Sequence, residues 1–267
     1  MKIGFLITAR LKSERLPLKI IKDLNGRTVI ERLIDRIKEI KNISDIVLCT
    51  STNSKDKLLV DIARKNRIYY FNGDEDDVLK RLFNAAKFFN LDYFLGITAD
   101  NPLITINYSN LIVDEIKNNK YDFIKLVGLP LGVATYGMKV KALEVVCKIK
   151  NVADTEIWGN LIDRPEIFDI KTIKIEGKLN RPDLRFTLDY PEDYEFINHI
   201  YSNIPFEKVL NLYNVIDYLD NNSDIAKINK NCVQLDLDEK VKGKIDRNFR
   251  GNLEEIKRIK DEIYSII

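Results

Sequence analysis

The sequence predicts an α/β fold: a mostly parallel central sheet with helices on both faces. Three observations predict it. Apolar runs of strand length recur at "KIGFLIT" (2–8), "DIVLCT" (45–50), "IYYF" (68–71), "YFLGI" (93–97) and "YDFIKLV" (121–127). Stretches with helical periodicity separate them. The runs are nearly continuous, the pattern of strands buried on both faces.

In order, residues 2–8 form the first buried strand. Residues 27–40 place Ile30, Leu33, Ile34 and Ile37 on one helical stripe. Residues 45–50 give a second strand, 55–66 a helix, and 68–71 a short strand. Residues 76–89 repeat the helical stripe with Val78, Leu79, Leu82, Phe83 and Ala86. A strand at 93–97, a helix at 107–118 and a strand at 121–127 follow. From 128 the pattern changes. "GLPLGVATYG" carries three glycines and a proline, and reads as an extended excursion or hairpin, part of an irregular region at about 128–165. Helices are expected at 139–149 and 154–163, strands at 168–175 and 184–189, and a helix at 191–202. The remainder is helical, interrupted by the polar "DNNSDIAKINKN". This divides the chain into a main domain, 1–220, and a helical C-terminal extension, 221–267.

Composition excludes several classes. With 43 Lys and Arg against 41 Asp and Glu, the net charge of +2 offers no general nucleic-acid-binding surface. The one histidine, His199, excludes a multi-histidine zinc site. It shares a polar helical face with Glu192, Glu195 and Ser202, and reads as a solvated side chain. Cys49, Cys147 and Cys232 form no CxxC pair and read as reduced thiols of a cytoplasmic protein. No apolar run approaches the roughly 18 residues that span a bilayer, so no membrane segment is expected. The opening "MKIGFLITAR" lacks a small-residue cleavage site and reads as a strand.

Ligands of such sheets bind at the carboxyl ends of the strands. "ITARLKSERLPLKI" (7–20) lies there and carries Arg10, Lys12, Arg15 and Lys19. Converging cations and backbone N–H groups suit a polyphosphate; a solvated connecting loop is the plain alternative. Neither GxxxxGK[ST] nor GxGxxG is present. "ITADNPLI" (97–104) sets Asp100 after the fourth apolar run, and "FTLDYPEDYEF" (186–196) sets Asp189 at another expected strand end. Each alone reads as a turn residue or cap. Together, facing a basic loop, they suit Mg²⁺ bound to a triphosphate. In "FNGDEDDVLKRLFNAA" (71–86) the acidic cluster complements a helix dipole, and Arg81, one turn on, is within reach of a ligand.

In this order, the motifs resemble the cytidylyltransferase family that makes CMP-activated acidic sugars, most closely its SpsF-like branch. Arg10, Ser13, Arg15, Leu16, Pro17 and Lys19 fill its R-x-x-S-x-R-[LF]-P-x-K loop. Gly73 to Arg81 fill G-[SD]-E-D-D-V-L-x-R, Thr98 to Leu103 fill T-[GA]-D-x-P-L, and Thr187 to Asp193 fill T-x-D-x-P-E-D. The resemblance covers about residues 1–220. It implies a GT-A-type nucleotidyltransferase fold, with CTP and an anionic sugar or phosphorylated acceptor as substrates. It implies Mg²⁺ on Asp100 and Asp189, and nucleotide contacts from Ala9, Arg10, Ser13, Arg15, Lys19, Gly73, Arg81 and Asp100. Arg15 and Lys19 become the catalytic cations, Tyr136 and Glu156 the acceptor contacts, and the excursion a homodimer contact. An acceptor oxygen would attack the α-phosphorus of CTP and release pyrophosphate, with no protein nucleophile, for surface polysaccharide or glycoconjugate synthesis. Two departures stand out. Leu18 replaces a common Gly, and "TEIWGNLI" (155–162) replaces an R-E-H-V-T-P segment, keeping only Glu156. The rival readings are UTP or GTP as donor, a GT-A glycosyltransferase, and a non-catalytic sugar-nucleotide-binding subunit.

Overall fold

The structure is a computed structural model that describes residues 1–266. Its first half alternates strand and helix: β1 (Ile3–Thr8), α1 (Val29–Ile37), β2 (Ile46–Ser51), α2 (Lys57–Lys65), β3 (Tyr69–Gly73), α3 (Val78–Phe88) and β4 (Tyr93–Thr98). Then come α4 (Ile106–Asn119), β5 (Phe123–Val127), β6 (Tyr136–Lys139), α5 (Val140–Ile149), the short α6 (Gly159–Ile162) and β7 (Ile170–Lys174). The chain ends in α7 (Pro191–Asn203), α8 (Leu212–Asn221), α9 (Glu239–Gly251) and α10 (Leu253–Ser265). The seven strands form one sheet in the order β3-β2-β1-β4-β6-β5-β7. β1 to β4 pair in parallel, as do β5 and β7, while β6 runs antiparallel to both β4 and β5.

Strand alternation divides the core in two. Phe5 and Ile7 of β1 face one layer, built on α1, α2, α4, α7 and α8. Leu6 between them faces the other, built on α3, α5, α6, α9 and α10. Helix starts are fixed by local chemistry. Thr28 and Glu31 form a reciprocal capping box on α1, and Asp77 Oδ1 accepts from Lys80 N to cap α3.

The excursion does close a hairpin, between β5 and β6, and β6 also pairs with β4. Three expectations change. The helix expected at 154–163 shrinks to Gly159–Ile162. Residues 184–189 form no strand, only a single bridge between Leu131 and Arg185. Their amides bond instead to two loops and a side chain: Phe186 to Leu131 O, Leu188 to Asp100 O, and Asp189 to the Asp193 carboxylate. His199 is half-buried, not solvated, with Nε2 2.8 Å from the Tyr218 hydroxyl.

The C-terminal extension shares the second core. Ile245, Phe249, Ile256 and Ile263 are buried among residues of α3 and α5. Asp122, at the head of β5, accepts from Lys260 Nζ and Tyr264 Oη of α10, each at 2.8 Å.

Candidate active site

The carboxyl ends of β1 and β4 open into a cleft of about 340 Å³. The 9–20 loop, the 98–100 turn and Asp189 form one side; Asp76, Val78 and Arg81 of the α3 start and Asp154, Glu156 and Trp158 form the other.

The basic loop is held from beneath. Ala9 N donates to Cys49 O at 3.1 Å, and Leu11 N to Asp56 Oδ1 at 2.7 Å. Leu16 and Ile20 are buried plugs. Between them Leu18 adopts a left-handed conformation (φ 56°), and Lys19 opens a short 3-10 turn. The sharp turn aims Lys19 into the cleft while Ile20 points back into the core.

Lys19 is the centre of the charge cluster. Its Nζ donates to Asp100 Oδ2 at 2.5 Å and to Asp189 Oδ1 at 2.8 Å. Each carboxylate has its other oxygen engaged elsewhere. Asp100 Oδ1 accepts from the Thr98 hydroxyl at 2.6 Å and Asn101 Nδ2 at 2.9 Å. Asp189 Oδ2 accepts from Arg185 Nη2 at 2.7 Å. Arg15 Nη2 lies 3.1 Å from Asp189 Oδ1, with its guanidinium over the Tyr190 ring. Burial opposes the charged form of Lys19, but Asp100 and Asp189 outweigh it and raise its pKa. Burial likewise opposes ionisation of Asp189, and Lys19, Arg185 and Arg15 outweigh it, holding the carboxyl below the ordinary range.

Neither carboxylate caps a helix: the residue before α7 is Tyr190, and Asp193 receives the amides of Asp189 and Tyr190. Among the described residues no group of three or more His, Cys, Asp or Glu side chains forms a metal cage. Two hard carboxylate oxygens converging on one point still fit Mg²⁺, which takes one or two carboxylates and completes its shell with phosphate oxygens and water. The Lys19 ammonium now stands at that point.

The remaining sequence candidates separate. Arg10 reaches across the cleft, its Nη2 2.5 Å from Glu156 Oε2. Ala9 and Ser13 line the cleft. Arg81 also lines it but is fully buried: Nη1 bonds to the Glu75 carbonyl at 3.2 Å, while Nε and Nη2 have no protein partner. Burial pulls its pKa down. Gly73 is not in the cleft wall; a Cβ there would stand 2.9 Å from Arg81 Cγ, so this glycine makes room for the arginine. Tyr136 is not in the wall either. It packs beneath, over Gly96, with its ring 4.8 Å from that of Trp158, and Trp158 takes the place in the cleft.

Sequence reasoning missed three supporting residues. Asp56 pins the basic loop, Trp158 lines the far wall, and Arg185 orients Asp189 while bonding Asp193 at 2.9 Å. The Arg185 signal was present as Arg-x-x-x-Asp-x-x-x-Asp spacing.

Comparison with known proteins identifies the family. A family model described as cytidylyltransferase matches residues 5–234. An uncharacterized protein of Methanocaldococcus jannaschii is 30% identical over 236 residues, 88% of this chain and 97% of its own length. The spore coat polysaccharide biosynthesis protein SpsF of Bacillus subtilis is 23% identical over 231 residues, covering 84% of this chain and 96% of SpsF. The solved structure of a cytidylyltransferase from Leptospira borgpetersenii superposes with a TM-score of 0.79 at 26% identity, over 88% of this chain and 100% of that one. The family match spans the basic loop, both aspartates and the sheet that brings them together, and on that extent the chain belongs to the cytidylyltransferase family.

Proposed function

We propose that the protein transfers CMP from CTP to an anionic sugar or phosphorylated acceptor, releasing pyrophosphate, with Mg²⁺ held by Asp100 and Asp189. The observation that carries this reading is Lys19 between those two carboxylates, with Arg15 beside them. The cluster sets exchangeable positive charge at the strand ends where a triphosphate is received. Bound Mg²⁺ would supply charge neutralisation on phosphate oxygens.

Lys19 leaves the carboxylates as phosphate enters and, with Arg15, balances charge on the departing pyrophosphate. Arg10, Ser13 and the loop amides orient the nucleotide, and Glu156 and Trp158 face the acceptor. The acceptor oxygen attacks the α-phosphorus directly, so positioning replaces a protein nucleophile. The reaction is proposed for the cytoplasm, in keeping with three unpaired cysteines. SpsF, by its name, acts in polysaccharide synthesis, and we place the product in surface polysaccharide or glycoconjugate assembly. A homodimer through the excursion is part of the proposal: Val127 and Leu131 are exposed there.

The test is incubation with each of four nucleoside triphosphates, Mg²⁺ and a panel of acidic sugars and sugar phosphates. Pyrophosphate release is expected with CTP and an acceptor, and to vanish with EDTA. Asp100→Asn and Asp189→Asn are each expected to lose most activity while remaining folded. Equal release from UTP or GTP, or full activity in either Asn variant, overturns the reading.

A further inference from the structure

The family match ends at residue 234, and α9 lies wholly beyond it. Yet α9 reaches both ends of the cleft loop 150–158, which carries Glu156 and Trp158. At one end, Asn248 Nδ2 donates to the Ile149 carbonyl at 3.0 Å, where the chain leaves α5. At the other, Asp246 Oδ1 accepts from Arg164 Nη2 at 2.5 Å, and Arg164 Nε donates to the Asn160 carbonyl at 2.7 Å. Asn160 belongs to α6, the helix that follows Trp158 directly. The Arg164 guanidinium also lies 4.7 Å from the centre of the Phe249 ring. No described residue of α9 lines the cleft; the helix stands behind its wall.

We propose that Asp246 and Asn248 are positioning residues for the acceptor side of the cleft: α9 braces both ends of loop 150–158 so that Glu156 and Trp158 present a fixed wall to the second substrate. The assignment of that wall to the acceptor rests on the function proposed above; the bracing does not. Ordering a loop costs conformational entropy at every residue. A loop whose ends are already fixed has less of that cost left for the substrate to meet. The triphosphate cations sit in the 9–20 loop, and Arg10 alone of them is ion-paired to this wall, at Glu156. Loosening α9 therefore weakens acceptor binding far more than CTP binding.

The experiment uses the full chain carrying Asp246→Ala and Asn248→Ala together, with Lys242→Ala on the same helix as control. Asp246 is 43% exposed, so its loss leaves the core intact. Trp158 is the single tryptophan, and acrylamide quenching of its fluorescence reports the wall directly. In the double variant the quenching constant is expected to rise about twofold, and amides 150–158 to exchange about tenfold faster. Amides of β1 and β4, and calorimetric affinity for CTP with Mg²⁺, stay within about twofold of the parent. Restoring the carboxylate as Asp246→Glu, with Asn248 intact, returns quenching to the parent value. Unchanged quenching and exchange overturn the proposal. So does faster exchange spread evenly through β1 and β4, which makes α9 mere bulk support. Both readouts proceed without substrate, so a failure to bind CTP sinks the proposed function and leaves the bracing to be judged separately.

Discussion

Lys19 is where the charge cluster of the cleft converges. Its ammonium joins two carboxylates that are 89 residues apart in sequence, and no alternative cation reaches Asp100 among the described ion pairs. In the proposed reaction, replacing it by alanine removes a charge whose full value develops only against departing pyrophosphate. Lys19→Ala is expected to lower turnover about 10²-fold or more, read as pyrophosphate release at saturating CTP; parental turnover refutes the assignment. The residue before it shows what the aim of Lys19 costs. Leu18 holds a left-handed backbone, which costs a non-glycine residue about 1–2 kcal/mol. Glycine relieves that strain but adds unfolded-chain entropy, worth about 0.4–1 kcal/mol. Leu18→Gly is thus expected to stabilise the protein by about 0.5 kcal/mol, a rise in Tm of about 1–2 °C by calorimetry. A lower Tm shows that the exposed leucine side chain has a compensating contact.

At the scale of elements, what could be read from sequence was whatever rested on local pattern. Strands β1 to β5 announced themselves as apolar runs, and α1 by its stripe and its Thr28–Glu31 cap. What could not be read was set by partners distant in sequence. β6 is four residues long, and its pairing depends on a gap between β4 and β5 that no local pattern reveals. Residues 184–189 have strand composition, but their amides go to Leu131, Asp100 and Asp193. The candidate site followed the same division. Asp100 and Asp189 lay at ends of apolar runs and Lys19 in the basic loop after the first, whereas Trp158 entered the wall and Tyr136 left it through packing. The α1 cap also makes a pH prediction. Burial opposes ionisation of Glu31, but hydrogen bonds from Thr28, Lys65 and Asn66 outweigh it and lower its pKa to about 2. The unfolded value is near 4.5, so the contribution is complete above that pH and lost as pH falls toward 2. Glu31→Gln should cost about 1 kcal/mol at neutral pH by urea unfolding, because solvent screens the exposed Lys65, with the difference from the parent shrinking progressively below about pH 4.5. A pH-independent difference would assign the effect to shape rather than charge.

The whole molecule is two cores sharing one sheet, and the cleft lies along the edge where both reach the strand ends. The first core carries the Lys19 side, and the second carries the wall of Glu156 and Trp158. The relation of the walls therefore depends on how firmly the second layer grips the sheet. Asp122 is the polar centre of that grip. It is 3% exposed, and its carboxylate accepts from Lys260, Tyr264 and the Asp169 amide, with Lys139 Nζ at 3.4 Å. Burial raises its pKa, and Lys260 leads the bonds that more than reverse this, so the folded value lies below the ordinary one. A depressed carboxylate stabilises the fold above its unfolded pKa and loses that contribution as pH falls through the folded value. Removing it strands the Lys260 and Lys139 ammonium groups without their shared counter-charge. Asp122→Ala is expected to cost about 3 kcal/mol or more at neutral pH. Hydrogen exchange should locate the loss first in α10 and α9, with β1 and β2 protected until global unfolding. If β1 and β2 open together with α10, the two layers are one cooperative unit, and Asp122 stabilises the sheet as a whole.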